Sequence, residues 1–118
     1  MTGHTSYHAG LAAEEIVARD YQRRAHSVAA QRWRGKSGEI DLIMRDGTTV
    51  VFVEVKKSRS FARAATRLSR TQMDRICGSA SEFLAGEPRG QLTDVRFDLA
   101  MVDGTGAVKV IENAFMES

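Results

Sequence analysis

Two apolar runs joined by a short turn constrain this chain more than any other feature. They are Glu39–Met44 and Thr49–Lys56, with Arg45-Asp46-Gly47-Thr48 between them. Asp-Gly between alternating segments is the strongest short-range signal for a β-hairpin. The core of the second run, Val50-Val51-Phe52-Val53-Glu54-Val55, is apolar almost throughout, as expected for a central strand buried on both faces. Side chains two apart in a strand share a face, so Glu39 goes with Asp41, and Glu54 with Lys56. A turn at Asp46-Gly47 would set Met44 opposite Thr49, Asp41 opposite Phe52 and Glu39 opposite Glu54. Asp41 and Glu54 would then be diagonal neighbours, about 7 Å apart at the backbone. Three carboxylates and one lysine would project from a single patch.

The rest of the chain supplies elements to cover that hairpin. From Gly10 to about Arg24 a helical period places Leu11, Val17, Ala18, Tyr21 and Ala25 on one apolar stripe. Glu14 falls at the centre of the stripe and Glu15 outside it. Ser27–Arg34 reads as a short, poorly marked strand, followed by a basic loop through Gly38. A second helix is expected from about Arg70 to Ala85, with Ser69 and Gln72 forming a capping-box signature. Its apolar stripe is Met73, Ile76, Cys77, Ala80, Phe83 and Leu84, and Gly86 and Pro88 end it. Val95–Val102 and Ala107–Ile111 complete the set as two strands around Asp103-Gly104-Thr105-Gly106. The expected order is α-β-β-β-α-β-β in one α/β domain spanning residues 10–118, after a flexible tail at 1–9. The second helix crosses between the third and fourth strands, so those two should run parallel in one mixed sheet.

Composition removes several classes of function. The chain has 118 residues, 42% of them hydrophobic and 27% charged, which suits one globular domain. Its longest apolar run is far below the ~20 residues of a membrane span, so no membrane partner is expected. With a single cysteine, Cys77, there is no internal disulfide or cysteine-based zinc site, and a reducing cytoplasm is the default location. The formal net charge is only +2. Split along the chain, residues 1–75 carry a net +6 and residues 76–118 a net −4, and 13 of the 17 cations are arginine. Arginine is suited to bidentate contact with phosphate oxygens.

Like charges gathered on apolar strands repel unless a cation joins them or a carboxyl stays protonated. Hard oxygen ligands suit Mg²⁺ or Mn²⁺. Asp41, Glu54 and Glu39 are therefore candidate metal ligands, with Glu14 a possible addition. Lys56 could orient a water or stabilise charge developing on a phosphoryl oxygen. An acid-x-Lys triplet by itself is uninformative, and an ion pair at a strand end explains Glu54 and Lys56 equally. What weighs against that simpler reading is the aligned Asp41 and the carboxylate centred on the apolar stripe of the first helix.

The same residues also carry a resemblance. Gly38-Glu39-Ile40-Asp41-Leu42-Ile43 followed by Phe52-Val53-Glu54-Val55-Lys56 closely resembles the signature of the bacterial YraN-like proteins. Arg96-Phe97-Asp98 and Asn113-Ala114-Phe115 look like two further elements of that family. The resemblance runs from about Gly10 to Phe115. It implies membership of the PD-(D/E)XK nuclease superfamily, which includes restriction endonucleases and archaeal Holliday-junction resolvases, with an α-β-β-β-α-β core. On that resemblance Asp41 matches the metal-binding aspartate, Glu54 and Lys56 the acid and lysine of the (D/E)XK step, and Glu14 the first-helix glutamate of the resolvase-like branch. Ile40 stands where the superfamily often has proline, and Ala62 where many relatives have glycine. The implied activity is metal-dependent hydrolysis of DNA, with a homodimer expected by analogy. The alternative is a non-catalytic nucleic-acid-binding module that acts with a partner protein.

Candidate phosphate contacts are Arg34, Lys36, Lys57, Arg59, Arg63, Arg67 and Arg70, for which a solvated basic arm is the competing reading. His4 and His8 fall in the expected tail. Cys77 is expected to be an inert buried thiol, and Arg96 with Asp98 a structural ion pair. Trp33 could stack on a base or cap the sheet. Gln72 could be no more than a capping residue.

Overall fold

A computed structural model describes residues 2–57, 59 and 69–114, with side chains from residue 12 onward. Helix α1 spans Thr2–Arg23, β1 Ser27–Arg34, β2 Glu39–Asp46, β3 Thr49–Lys57, α2 Arg70–Leu84, β4 Val95–Val102 and β5 Val108–Ile111. A 3-10 turn at Gly90–Leu92 precedes β4. The order is the expected α-β-β-β-α-β-β, and the fold is α/β.

The five strands form one sheet in the order β1-β2-β3-β4-β5. β3 and β4 are parallel, joined through α2, and the other neighbouring pairs are antiparallel. The sheet is therefore mixed, as the crossover connection predicts. Its two faces are covered by different helices. Ala13, Val17, Ala18 and Tyr21 of α1 pack on Leu42, Met44, Val51, Val53, Ala100 and Val102. Ile76, Ala80 and Leu84 of α2 pack on Ile40, Ile43, Val50 and Phe52. Burial on both faces explains why β3 reads as a continuous apolar run rather than an alternating one. Trp33 sits edge-on to Phe83, 5.5 Å between ring centres, so it packs under α2 and caps the sheet. No described helix is long and apolar enough to cross a membrane.

Several expectations need correction. Helical backbone begins at Thr2 rather than Gly10. Ala25 lies beyond the helix with φ 66° and is exposed, so it is not part of the apolar stripe. Cys77 is exposed, because it falls at the edge of the α2 stripe and no described element covers it. In the hairpin, Asp46 pairs with Thr49 and Met44 with Val51, so the register differs by two residues from that expected. The turn centres on Gly47-Thr48, with φ 61° at Gly47. Positive φ at the first central residue is what a type II′ turn requires, whereas a turn centred on Asp46-Gly47 would need it at Asp46 as well. A slip of two keeps every side chain on its expected face, whereas a slip of one would not.

The expected Arg96–Asp98 ion pair is present and is part of a buried network. Arg96 Nε and Nη2 donate to Asp98 at 3.0 Å, and the Tyr21 hydroxyl donates to Asp98 Oδ2 at 2.6 Å. The Asn113 N–H donates to Asp98 Oδ1 at 3.1 Å, which ties the chain after β5 to β4. Both family-like elements near the C-terminus thus meet at one carboxylate, on the face covered by α1.

Candidate active site

The corrected register changes the geometry of the carboxylates. The last rung of the β2–β3 ladder is Leu42 with Val53, and one step further the same register would set Asp41 opposite Glu54. On that register they would be direct neighbours across the strands rather than diagonal ones. The ladder itself stops there. The Val50 N–H donates toward β4, to the Asp94 carbonyl, so the alternate N–H groups at 51, 53 and 55 face β2. The Val55 N–H meets not the β2 backbone but the side chain of Asp41, donating to Oδ2 at 2.8 Å. Asp41 therefore occupies the place where the two strands part, held by a backbone donor of the strand that carries Glu54.

Glu54 is 9% exposed, unusually buried for a carboxylate. Its Oε2 accepts from Gln72 Nε2 at 2.9 Å and lies 3.8 Å from Lys56 Nζ. Its Oε1 is buried and meets no donor among the described residues. Burial, and secondarily the neighbouring Asp41 charge, push the Glu54 carboxyl up to about 7, against the opposing pull of Lys56 and Gln72. Burial also raises Asp41, with the Val55 N–H as the strongest opposing influence. Two neighbouring carboxylates repel when both are charged, which favours a proton on one of them or a cation beside them.

Two more carboxylates stand nearby. Glu14 on α1 is half-buried and raised above its ordinary range, by burial first and then by Asp41, with Glu39 adding and Arg32 opposing. Glu39 turns toward arginines instead, 3.9 Å from Arg32 and 3.7 Å from Arg34. Asp41, Glu54 and Lys56 are thus brought together, Glu14 is within electrostatic reach, and Glu39 is engaged elsewhere. Among the described residues no three His, Cys, Asp or Glu side chains converge as a metal-holding group.

Gln72 belongs to the site, which the sequence did not reveal. Ser69 caps α2 as expected, accepting from the Gln72 N–H at 3.1 Å. The amide side chain of Gln72 does not complete the capping box but reaches Glu54. The available signal was its position: the first turn of the helix that crosses directly from the strand bearing Glu54.

The expected phosphate contacts divide into groups. Arg34 is exposed at the end of β1 and Lys36 on the β1–β2 loop, and Arg70 is exposed at the start of α2. Lys57 and Arg59 line a separate cavity of about 460 Å³ with Ala13, Ile16 and Val102, on the α1 side. Arg63, Arg67 and Phe115 lie outside the described residues, as do the side chains of His4 and His8.

Residues 13–102 match the uncharacterised protein family UPF0102. The chain belongs to the UPF0102 family. A UPF0102 protein of Cereibacter sphaeroides strain KD131 is 69% identical over 115 residues, 98% of each chain. Others of the same description, from Ruegeria pomeroyi and Dinoroseobacter shibae, are 58% and 49% identical over 96% and 91% of this chain, and over 92% and 80% of their own lengths. In UPF0102 terms the family match begins inside α1 and ends with β4, so it contains Glu14, Asp41, Glu54, Lys56 and Gln72.

Proposed function

We propose that this UPF0102 protein is a metal-dependent nuclease of the PD-(D/E)XK type that hydrolyses phosphodiester bonds in DNA. The single observation that carries the reading is the Glu54–Asp41 pair: a buried and a half-buried carboxylate on adjacent strands, with one Glu54 oxygen lacking any donor among the described residues and a lysine beside them. The donor set would fit Mg²⁺ or Mn²⁺, since both carboxylates offer hard oxygen ligands and a cation would satisfy the orphaned Glu54 Oε1. Asp41 and Glu54 would hold the ion, and Glu39 could join only by leaving Arg32 and Arg34. A divalent ion there supplies an activated water and charge neutralisation at the scissile phosphate.

The chain's own groups perform the remaining tasks. The Val55 N–H fixes one oxygen of Asp41, and Gln72 fixes one oxygen of Glu54, so neither carboxylate is free to rotate. Lys56 holds a positive charge at the same edge, where it can stabilise developing negative charge on a phosphoryl oxygen or orient the attacking water. Glu14 adds a carboxyl of raised pKa within reach of Asp41, suited to exchanging a proton with that water. Arginines and lysines of the basic half grip the backbone without reading sequence. If both strands of a duplex or junction are cut, the working unit is a homodimer.

The test is a Mg²⁺-titrated cleavage assay on duplex, single-stranded, flapped and four-way DNA. Cleavage is expected to vanish in Asp41→Ala, Glu54→Ala and Lys56→Ala. Absence of cleavage on every substrate, with Mn²⁺ binding unchanged by Glu54→Ala, would overturn the assignment. The engagement of Glu39 by two arginines favours one other reading, a DNA-binding module that acts only with a partner protein. Its mark would be salt-dependent binding that survives loss of both Asp41 and Lys56.

A further inference from the structure

Helix α2 carries a second stripe besides the apolar one. Gln72, Arg75, Ser79 and Glu82 recur at spacings of three and four, so they share one face. Arg75, Ser79 and Glu82 meet the loop between β1 and β2, and Gln72 meets β3 beside it. Gln72 donates to Glu54. Ser79, fully buried, donates to the Gly38 carbonyl at 2.7 Å. Glu82 accepts from the Lys36 N–H at 2.7 Å. Arg75 lies against Gly38, where a built Cβ would be 3.9 Å from its side chain.

The docking is close enough to demand glycine on both partners. A Cβ on Gly78 would come 2.5 Å from Ser37 Oγ, and one on Gly35 would come 2.8 Å from Ser79 Oγ. The loop also closes on itself, with the Gly35 N–H donating to the Gly38 carbonyl at 2.9 Å. A four-residue loop held this tightly presents its one cation, Lys36, from a fixed backbone. A cavity of about 170 Å³ opens beside it, walled by Gly38, Glu39, Gln72, Arg75 and Ile76 and reaching Glu54. Lys36 and Arg75 are exposed at this end and have no ion-pair partner among the described residues.

We infer that the seat where the β1–β2 loop docks on α2 is a backbone-phosphate subsite for a nucleic-acid strand, with Arg75 and Lys36 as its cations. Gly78 and Ser79 are positioning residues that hold the loop in place. This rests on the nucleic-acid part of the proposed function and not on hydrolysis. A cation that is fixed before binding loses little side-chain and loop freedom on contact, which favours a preorganised loop over a mobile arm.

The experiment is fluorescence anisotropy of a labelled four-way DNA and a labelled single strand, in EDTA and across a salt series. Arg75→Ala should weaken binding roughly three- to tenfold and lower the slope of log Kd against log salt by about one. Gly78→Ala should also weaken binding, and the double change Gly78→Ala with Ser37→Gly should restore it, since removing the serine side chain makes room for the new Cβ. Circular dichroism of each variant separates displacement of the loop from unfolding. Wild-type affinity and salt slope in both Arg75→Ala and Gly78→Ala would overturn the inference, as would the absence of any salt-dependent binding. Failure of the nuclease reading looks different: binding and its dependence on this seat persist while no substrate is cut.

Discussion

At the scale of single residues, two buried carboxylates behave in opposite ways. Asp98 is 1% exposed and is saturated by donors from Tyr21, Arg96 and Asn113. Removing one donor leaves part of that charge unsatisfied. Tyr21→Phe is expected to destabilise the fold by about 1–3 kcal/mol, read as a lower melting temperature, with DNA binding unchanged. Glu54 is the converse, a carboxyl that burial and Asp41 keep protonated up to about 7. Its folded pKa lies above that of an unfolded glutamate, so its contribution to stability is complete below about 4.5 and disappears as the pH rises through about 7. In EDTA the protein should therefore lose up to about 2–3 kcal/mol between pH 5 and pH 8. Glu54→Gln, a neutral isostere, should flatten that profile and exceed wild type at pH 8. A thermal-melt series across pH checks it, and a wild-type curve that rises over this window would refute the assignment.

At the scale of elements, what was legible depended on whether a local pattern had a local cause. The elements themselves, the parallel pairing of β3 with β4 and the gathering of Asp41, Glu54 and Lys56 all follow from periodicity and connection rules, which act within a few residues or through topology. The hairpin register did not, because Asp-Gly fits more than one turn, and the choice of type II′ at Gly47-Thr48 is made by the strands on either side. Parity survived the error, and with it the site. Gln72 and the rest of its α2 stripe were illegible for another reason. Gln, Arg, Ser and Glu at helical spacing look like any solvated face, and while Gln72 reaches Glu54 on β3, Ser79 and Glu82 reach a glycine loop some forty residues away in sequence. The turn offers a test of its own. Gly47 has φ 61° with nothing within 4 Å of a built Cβ, so any cost of substitution is purely conformational. Gly47→Val should destabilise by roughly 1–2 kcal/mol while leaving the carboxylate pair intact. Chemical denaturation measures the first effect, and unchanged Mn²⁺ binding checks the second.

For the whole molecule, the modest net charge conceals a division of labour. The basic half contains the hairpin, the docked loop and the carboxylates, while the acidic remainder supplies most of α2 and the last two strands. In the absence of a cation the Glu54–Asp41 pair opposes folding at neutral pH, through desolvation and mutual repulsion. A site that is destabilising when empty should be stabilising when filled, because a ligand that binds only the folded chain adds RT ln(1 + [L]/Kd). At a Mg²⁺ or Mn²⁺ concentration one hundred times its Kd this amounts to about 2.7 kcal/mol, which raises Tm by roughly 10 °C in a domain of this size. The rise should be larger at pH 8 than at pH 5, since at the lower pH the ion must displace the proton that Glu54 carries. It should be absent from Glu54→Gln at both. A Tm that does not respond to either cation at pH 8 would mean that the pair is satisfied by its proton and by Lys56 alone. The buried carboxylates would then be a structural feature of the fold, and not a metal site.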